Sequence, residues 1–296
     1  GSGKSTLIKI LAGFHAPEPG ARLTVAGREV ALPLPAGGFR ALGIAFVHQH
    51  LALVPSMTVL ENFLIGDHAA AARLSIRWRR EAARARAVFD RFGVRFDPFA
   101  RVETLRSVER ALLAILRAFD QLDRAPGEGG VKLLILDEPT PFLPKGDVQR
   151  LFALVRGLVR AGASVVFVSH DIDEVLEVTD RVTVLRDGRV AGTLDTRSAS
   201  KAGIIRLIVG RDVDLEHMRP AARPLGAERA RIEDLSGAGV GPVSLSLKAG
   251  EVVGLTGLIG SGHDAALHLL YGSRRAAGGR LVLDGEAMDL HAMAPD

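Results

Sequence analysis

The sequence predicts an α/β fold in which helices cover a mostly parallel, doubly wound sheet. Three observations support this prediction. Short apolar strands alternate with helical segments across residues 132–185, a pattern typical of parallel strands joined by crossover helices. A glycine-rich loop opens a helix at Lys4. A similar stretch returns about 259 positions later, from Gly260.

Length and composition indicate about two globular domains. The chain has 296 residues, 47% hydrophobic and 24% charged, a balance that argues against disorder; at roughly 150 residues per domain it allows two. The absence of cysteine excludes disulfide scaffolds, thiolate metal sites and cysteine nucleophiles. No apolar run approaches the roughly 18 residues of a membrane span. The net charge of +4 does not imply a nucleic-acid partner.

The elements of the first domain follow from periodicity and turn residues. Strands are short apolar runs, helices repeat their apolar residues every three or four positions, and Asp187-Gly188 forms a hairpin turn. Residues 58–119, rich in Ala, Arg and Leu, form a helical subdomain. The predicted helices are 4–12, 148–160 and 172–178, and the predicted strands are 42–47, 132–136, 164–168 and 181–185, with a short strand pair around Gly27.

The internal repeat divides the chain. We predict a first domain at residues 1–211, a linker rich in Pro and Gly at 212–230, and the N-terminal part of a second, similar domain at 231–296. A predicted strand at 251–256 precedes the second loop. By symmetry the first copy lacks this leading strand and about three loop residues, so the chain is interpreted as a fragment.

The first glycine-rich loop is predicted to bind phosphate. Glycines let backbone N–H groups approach phosphate oxygens, and a helix N-terminus adds positive potential. The Lys4 ammonium is expected to reach the β and γ phosphates, and the Ser5 hydroxyl to hold Mg²⁺. The predicted nucleotide-binding residues are Gly1, Ser2, Gly3, Lys4, Ser5 and Thr6.

Polar residues follow three of the predicted strands, where α/β sheets bind ligands. Asp137 and Glu138 end one strand. Asp137 is expected to hold Mg²⁺, and Glu138 to orient or deprotonate an attacking water. His170 follows the next strand and Gln49 follows an earlier one. The Gln49 amide is predicted to bridge Mg²⁺ and the water.

This order of motifs resembles the ATPase domain of ABC transporters. Lys4, Gln49, Asp137, Glu138 and His170 fall on the family's P-loop, Q-loop, Walker B and switch-histidine positions. The resemblance implies a P-loop NTPase of the ABC type, with a mixed or parallel sheet and a helical subdomain, followed by the start of a second such domain. It also implies ATP hydrolysis with Mg²⁺, coupled to a membrane permease.

Two motifs depart from the family pattern. Where the signature helix begins Leu-Ser-Gly-Gly-Gln in the family, this chain has Leu105, Arg106, Ser107, Val108 and Glu109, and Pro144 replaces the D-loop aspartate. The second P-loop carries Gly257, Gly260, Gly262, His263 and Asp264, so its lysine and hydroxyl are lost. Because family members pair head to tail, the resemblance predicts that these two defects face each other. It therefore predicts one competent and one degenerate site.

A degenerate second P-loop after a short linker resembles the tandem ATPases of monosaccharide importers of the ribose, xylose and galactose type. This resemblance implies a peripheral protein on the cytoplasmic face of a bacterial membrane. Its partners would be transmembrane permease subunits and, indirectly, an extracytoplasmic sugar-binding protein. No nucleic acid is expected. The fragment itself is expected to be inactive.

Three alternative functions compete with this interpretation. A soluble tandem ABC ATPase acting on ribosomes or nucleic acid is possible because residues 73–95 are basic; packing of Phe89 at helical spacing argues against it. A dinucleotide fingerprint from Gly260 is opposed by the repeat. A binding module without hydrolysis is opposed by Glu138 and His170.

Overall fold

A computed structural model describes residues 2–65, 76–141, 143–210, 224–257 and 261–292. The chain divides into two compact units, Gly1–Val213 and Asp214–Asp296. Each unit has its own apolar core, so the two are described separately.

A parallel three-stranded sheet forms the centre of the first unit. Its order is β3 (Ile44–Val47), β4 (Leu133–Asp137) and β5 (Ser164–Val168). β4 lies in the middle and its apolar residues Leu134, Ile135 and Leu136 are buried, as expected for a strand covered on both faces. The predicted strands are confirmed within two residues of their ends.

Two antiparallel hairpins complete the strands of this unit. β1 (Leu23–Val25) pairs with β2 (Arg28–Val30), and β6 (Arg181–Arg186) pairs with β7 (Arg189–Asp195). The second hairpin turns at Asp187-Gly188, where both residues have positive φ, 50° and 75°. These angles are those of a type I′ turn, so the predicted hairpin turn is confirmed.

Helices surround these strands, connected in places by short 3₁₀ turns. One face of α1 is fixed to the sheet because Ile8 packs in a cluster with Ile44 and Ile135. In the described part of the unit the helices are α1 (Lys4–Leu11), α2 (Val59–Leu64), α3 (Trp78–Arg91), α4 (Ser107–Arg124), α5 (Lys145–Arg160), α6 (Ile172–Val178) and α7 (Lys201–Val209).

The segment 58–119, predicted to be mostly helical, is mostly helix in its described residues. Helices α2, α3 and the start of α4 lie in it, but described residues 92–106 form turns and a 3₁₀ segment rather than helix. α4 also continues five residues beyond Phe119, to Arg124. The apolar run of α4 explains this, because Leu113, Ile115 and Leu116 are fully buried and Leu122 extends the same core.

The second unit contains a four-stranded antiparallel sheet in the order β11-β10-β8-β9. Its strands are β8 (Glu228–Gly237), β9 (Val240–Lys248), β10 (Gly278–Leu283) and β11 (Glu286–Asp289), and its helix is α8 (His263–Leu270). Leu269 is fully buried against the sheet core.

Two predictions in this region are wrong. β8 begins at Glu228, so the predicted linker at 212–230 ends before residue 228. Residues 251–257 are not a strand, and Val252 is 97% exposed. An apolar run becomes a strand only when a neighbouring strand accepts its hydrogen bonds, and β8 to β11 pair with one another in the described part of this unit.

Across the described ranges, no helix is both long and apolar enough to cross a bilayer.

Candidate nucleotide site

The first glycine-rich loop enters α1 through Gly3, the N-cap. Gly3 has a left-handed conformation, φ 95°, which favours glycine. Lys4 is the first residue of α1 and is half-buried, whereas Ser5 and Thr6 are exposed in the first turn. Ser2 accepts a hydrogen bond from the Gly188 N–H at 3.3 Å. Gly1 lies outside the described residues.

Three polar loops meet at one edge of the central sheet. β3, β4 and β5 are parallel, with Val47 paired to Leu136 and Asp137 paired to Val168. The segments that leave their carboxyl ends therefore begin side by side. These segments carry His48-Gln49, Asp137-Glu138 and Ser169-His170.

The Asp137 carboxyl lies within electrostatic reach of Lys4. Burial raises the pKa of Asp137 above its ordinary value, the charge of His48 lowers it, the Glu138 carboxylate raises it and the Lys4 ammonium lowers it. Lys4 and Asp137 are about 130 residues apart in the chain, yet in the folded chain the Lys4 charge lowers the pKa of the Asp137 carboxyl. A raised carboxyl pKa marks a site where a bound cation would stabilise the ionised form.

Glu138 and His170 face each other across the same edge. His170 Nδ1 lies 3.6 Å from Glu138 Oε1. The Glu138 N–H donates to the Val168 carbonyl at 2.9 Å, which continues the β4–β5 ladder one residue past β4. Glu138 has φ 48°, a left-handed conformation that is unfavourable for a residue with a side chain. Such conformations concentrate at functional sites.

The chemistry of the donor set fits Mg²⁺. Asp137 supplies a carboxylate, Gln49 an amide oxygen and Ser5 a hydroxyl, and Mg²⁺ prefers oxygen ligands of these kinds. Asp137 is half-buried, whereas Gln49 and Ser5 are exposed. Asp137 lies at the end of β4, and Gln49 lies two residues after the end of the neighbouring strand β3.

Sequence reasoning missed two side chains that fix the segment after Gln49. Arg117 of α4 donates from Nη1 to the Ala52 carbonyl at 2.9 Å and from Nη2 to the Leu51 carbonyl at 3.1 Å. Asn62 of α2 is fully buried and exchanges hydrogen bonds with the Val54 backbone at 2.8 and 3.0 Å. A charge inside the apolar run of α4 was the available signal for Arg117.

At the signature position, Arg106 and Glu109 form hydrogen bonds with each other. Arg106 is the N-cap of α4, where its backbone N–H donates to Glu109 Oε2 and its guanidinium lies 2.9 Å from Glu109 Oε1. The hydrogen bond from Arg106 lowers the pKa of Glu109. Pro144 is the exposed N-cap of α5. The predicted signature residues are all described: Leu105 and Glu109 are half-buried, Val108 is buried, and Arg106 and Ser107 are exposed.

The second glycine-rich loop enters its helix as the first one does. Gly262 caps α8 with φ 87°, and His263 begins the helix as Lys4 begins α1. Ser261 Oγ and His263 Nδ1 are 3.1 Å apart, and Asp264 lies in the first turn. Gly257 is described, whereas Gly260 lies outside the described residues.

The basic helix α3 turns its apolar side to the core. Phe89 is 1% exposed. Arg84 reaches Asp120 of α4 at 2.5 Å, and Arg91 reaches Asp123 at 3.2 Å. These arginines hold two helices together.

The fold is the mixed α/β P-loop fold of ATP-binding cassettes. A family model described as "ABC transporter" matches residues 1–141. The first half of the chain is therefore similar to the ATP-binding domains of the ABC transporter family.

Two curated relatives are similar in sequence to this chain, and a solved structure shares its fold. Ribose import ATP-binding protein RbsA 3 of Rhizobium meliloti (strain 1021) is 36% identical over 98% of this chain and 55% of its own length. Arabinose import ATP-binding protein AraG of Ralstonia nicotianae (strain ATCC BAA-1114 / GMI1000) is 37% identical over 99% of this chain and 56% of its length. The chain thus spans about half the length of these curated relatives. The crystal structure of the ADP conformation of MJ1267, an ATP-binding cassette, shares the fold with a TM-score of 0.59 and 20% identity, over 71% of this chain and 84% of that one.

Proposed function

We propose that this chain is part of a tandem ATPase that energises import of a monosaccharide through a membrane permease. The convergence of Lys4, Asp137, Glu138 and His170 at one sheet edge carries the ATPase part of the proposal. The similarity to proteins named for ribose and arabinose import supports a sugar as the transported solute. Permease subunits are the direct partners, at the cytoplasmic face of a bacterial membrane. An extracytoplasmic sugar-binding protein is the indirect one.

ATP binding in this proposal depends on the first loop and the sheet edge. Backbone N–H groups of residues 1–6 would surround the β and γ phosphates, and the Lys4 ammonium would neutralise their charge. Mg²⁺ held by Ser5, Gln49 and Asp137 would supply further charge neutralisation at the phosphates. The nearness of the Lys4 and Asp137 charges supports a single ligand between them.

Hydrolysis in this proposal depends on Glu138. Its carboxylate would orient and deprotonate the attacking water, with Gln49 contacting the same water. His170, 3.6 Å from Glu138, would stabilise the charge that develops on the γ-phosphate and hold Glu138 in place.

The second site of the tandem protein is degenerate in this proposal. His263 replaces the ammonium of a lysine with an imidazole, and the Asp264 carboxylate would repel phosphate. At the signature position of the first domain, the Arg106 backbone N–H already donates to Glu109. The second site would not hydrolyse ATP, and the chain as printed would have little or no turnover.

Turnover and transport by the complete tandem protein with its permease test this proposal. We expect Lys4→Ala to lower both rates by at least about a hundredfold, because the ammonium that neutralises charge on the transferred phosphoryl group is lost. His263→Ala in the second loop is the matched control and should retain most of the turnover. Unchanged turnover in Lys4→Ala would show that the competent site lies elsewhere. Uptake of solutes other than monosaccharides would show that the sugar assignment is wrong.

A further inference from the structure

Glu174 of α6 connects the two loops that carry Glu138 and His170. Its Oε2 atom accepts a hydrogen bond from the Thr140 hydroxyl at 2.7 Å and from the Ser169 hydroxyl at 3.0 Å. Thr140 lies two residues after Glu138, and Ser169 directly precedes His170. One carboxylate oxygen therefore joins the loop after β4 to the loop after β5.

The Thr140 end of this connection is buried. Thr140 is 7% exposed, so its hydroxyl depends on a protein acceptor. A hydrogen bond to a charged acceptor is stronger than one to a neutral acceptor. The Thr140 carbonyl also accepts from the Leu143 N–H at 2.9 Å, which closes the loop on itself.

The Ser169 end fixes the backbone on both sides of His170. The Ser169 hydroxyl accepts from the Asp171 N–H at 3.0 Å while it donates to Glu174. Asp171 is the N-cap of α6, and its carboxylate accepts from the N–H groups of Asp173 and Glu174 at 2.8 and 3.3 Å. The residues before and after His170 are thus tied to the start of α6.

His170 needs this support because its own side chain is 68% exposed. Packing restricts an exposed side chain weakly, so the direction of His170 is set mainly by its backbone. Glu138 is in a similar position, with 30% of its side chain exposed and φ 48°. The backbone bond from Glu138 to Val168 joins the two loops at the sheet. Glu174 joins them a second time, above the sheet edge.

We propose that Glu174 is a positioning residue that holds Glu138 and His170 at the separation needed for hydrolysis. This inference rests on the hydrolytic roles proposed above for Glu138 and His170. Glu174 acts through Thr140 and Ser169 and does not contact the nucleotide. Its loss changes the turnover rate and leaves nucleotide binding through Lys4 intact.

Steady-state ATPase kinetics of the complete tandem protein with its permease test the inference. We expect Glu174→Ala to lower kcat by between about tenfold and about a hundredfold, because small misplacements of reacting groups carry costs of this size. The KM for ATP should stay within about twofold, since only transition-state interactions are lost. Glu174→Gln keeps an acceptor oxygen for both hydroxyls and should restore most of kcat.

Glu177→Ala is the matched control. Glu177 lies one turn further along α6 and accepts a hydrogen bond from Gln149 at 3.1 Å, away from both loops. This variant should keep the wild-type kcat. Thr140→Val should reproduce part of the decrease in kcat seen in Glu174→Ala. A variant that combines both substitutions should have a kcat no lower than that of Glu174→Ala alone. Glu174→Ala with the kcat of Glu177→Ala would overturn the inference.

Hydrogen exchange of the printed chain separates this inference from the proposed function. Amides of residues 138–141 and 168–171 should exchange faster in Glu174→Ala than in Glu177→Ala, whatever the turnover. Equal exchange in the two variants would overturn the inference. An inactive complete wild-type protein would instead contradict the proposed function.

Discussion

Arg117 offers a sensitive test of how the segment after Gln49 is held. Its side chain is partly buried, and this burial lowers its pKa. It donates to the carbonyls of Ala52 and Leu51 at 2.9 and 3.1 Å. We therefore change Arg117→Met, which keeps the aliphatic stem and removes both hydrogen bonds.

The expected cost follows from these two bonds. Each hydrogen bond from a charged donor is worth about 1.5–3 kcal/mol. Removing the buried guanidinium also removes its desolvation penalty, which offsets part of the loss. Ala52 is exposed, so its carbonyl regains water as a partner. The net cost of opening this segment should be about 2 kcal/mol, or roughly a 30-fold increase in its opening constant.

Hydrogen exchange by mass spectrometry measures this opening directly. Peptides covering residues 50–57 should exchange faster in Arg117→Met, while peptides covering β4 stay unchanged. Arg110→Met is the matched control on the same helix, because Arg110 donates to the carbonyls of Leu105 and Glu103 instead. It should loosen residues 103–105 only. Exchange in 50–57 equal to wild type would refute the role given to Arg117.

Two further predictions concern carboxyl groups and their pH dependence. Burial raises the pKa of Asp137 in the folded chain, so stability falls as pH rises from the ordinary value of 3.8 through the raised one. Thermal unfolding should therefore show that Asp137→Asn is more stable than wild type at neutral pH. Asp123→Asn should be less stable than wild type, because the Lys132 hydrogen bond lowers the pKa of Asp123. Thr58→Ala removes the capping box of α2 and should cost about 1 kcal/mol in urea unfolding. The Thr58 hydrogen bonds lower the pKa of Glu61, so their contribution to stability is present at neutral pH and is lost as pH falls below 4.5 through the lowered value. A Thr58→Ala variant whose stability depends on pH as the wild type's does would contradict this account.

The sequence predicted the elements whose physics is local. The apolar run 133–136 has four residues with nothing polar among them, and it forms the buried middle strand β4. The Asp187-Gly188 turn depends on two adjacent residues that tolerate positive φ, and it was predicted correctly. The parallel order of β3, β4 and β5 then follows from crossover connections.

What the sequence did not reveal depends on contacts between distant segments. Glu174 and Thr140 are separated by 34 positions, and Arg117 and Ala52 by 65. Neither pair has a spacing that marks it as a partner. The prediction of a strand at 251–256 was wrong because it considered only the composition of that run. A strand needs neighbours, and its own composition does not supply them.

Hydrolysis of ATP by the complete tandem protein carrying Glu138→Gln tests the central claim most directly. The amide keeps the shape of the carboxylate but does not accept the proton of the attacking water. We expect ATP to bind with near wild-type affinity while turnover falls by at least about a hundredfold, the usual contribution of a general base. Asp171→Asn is a nearby control that keeps an acceptor for the α6 cap. Wild-type turnover in Glu138→Gln would contradict the claim that the first loop and this sheet edge form the hydrolytic site.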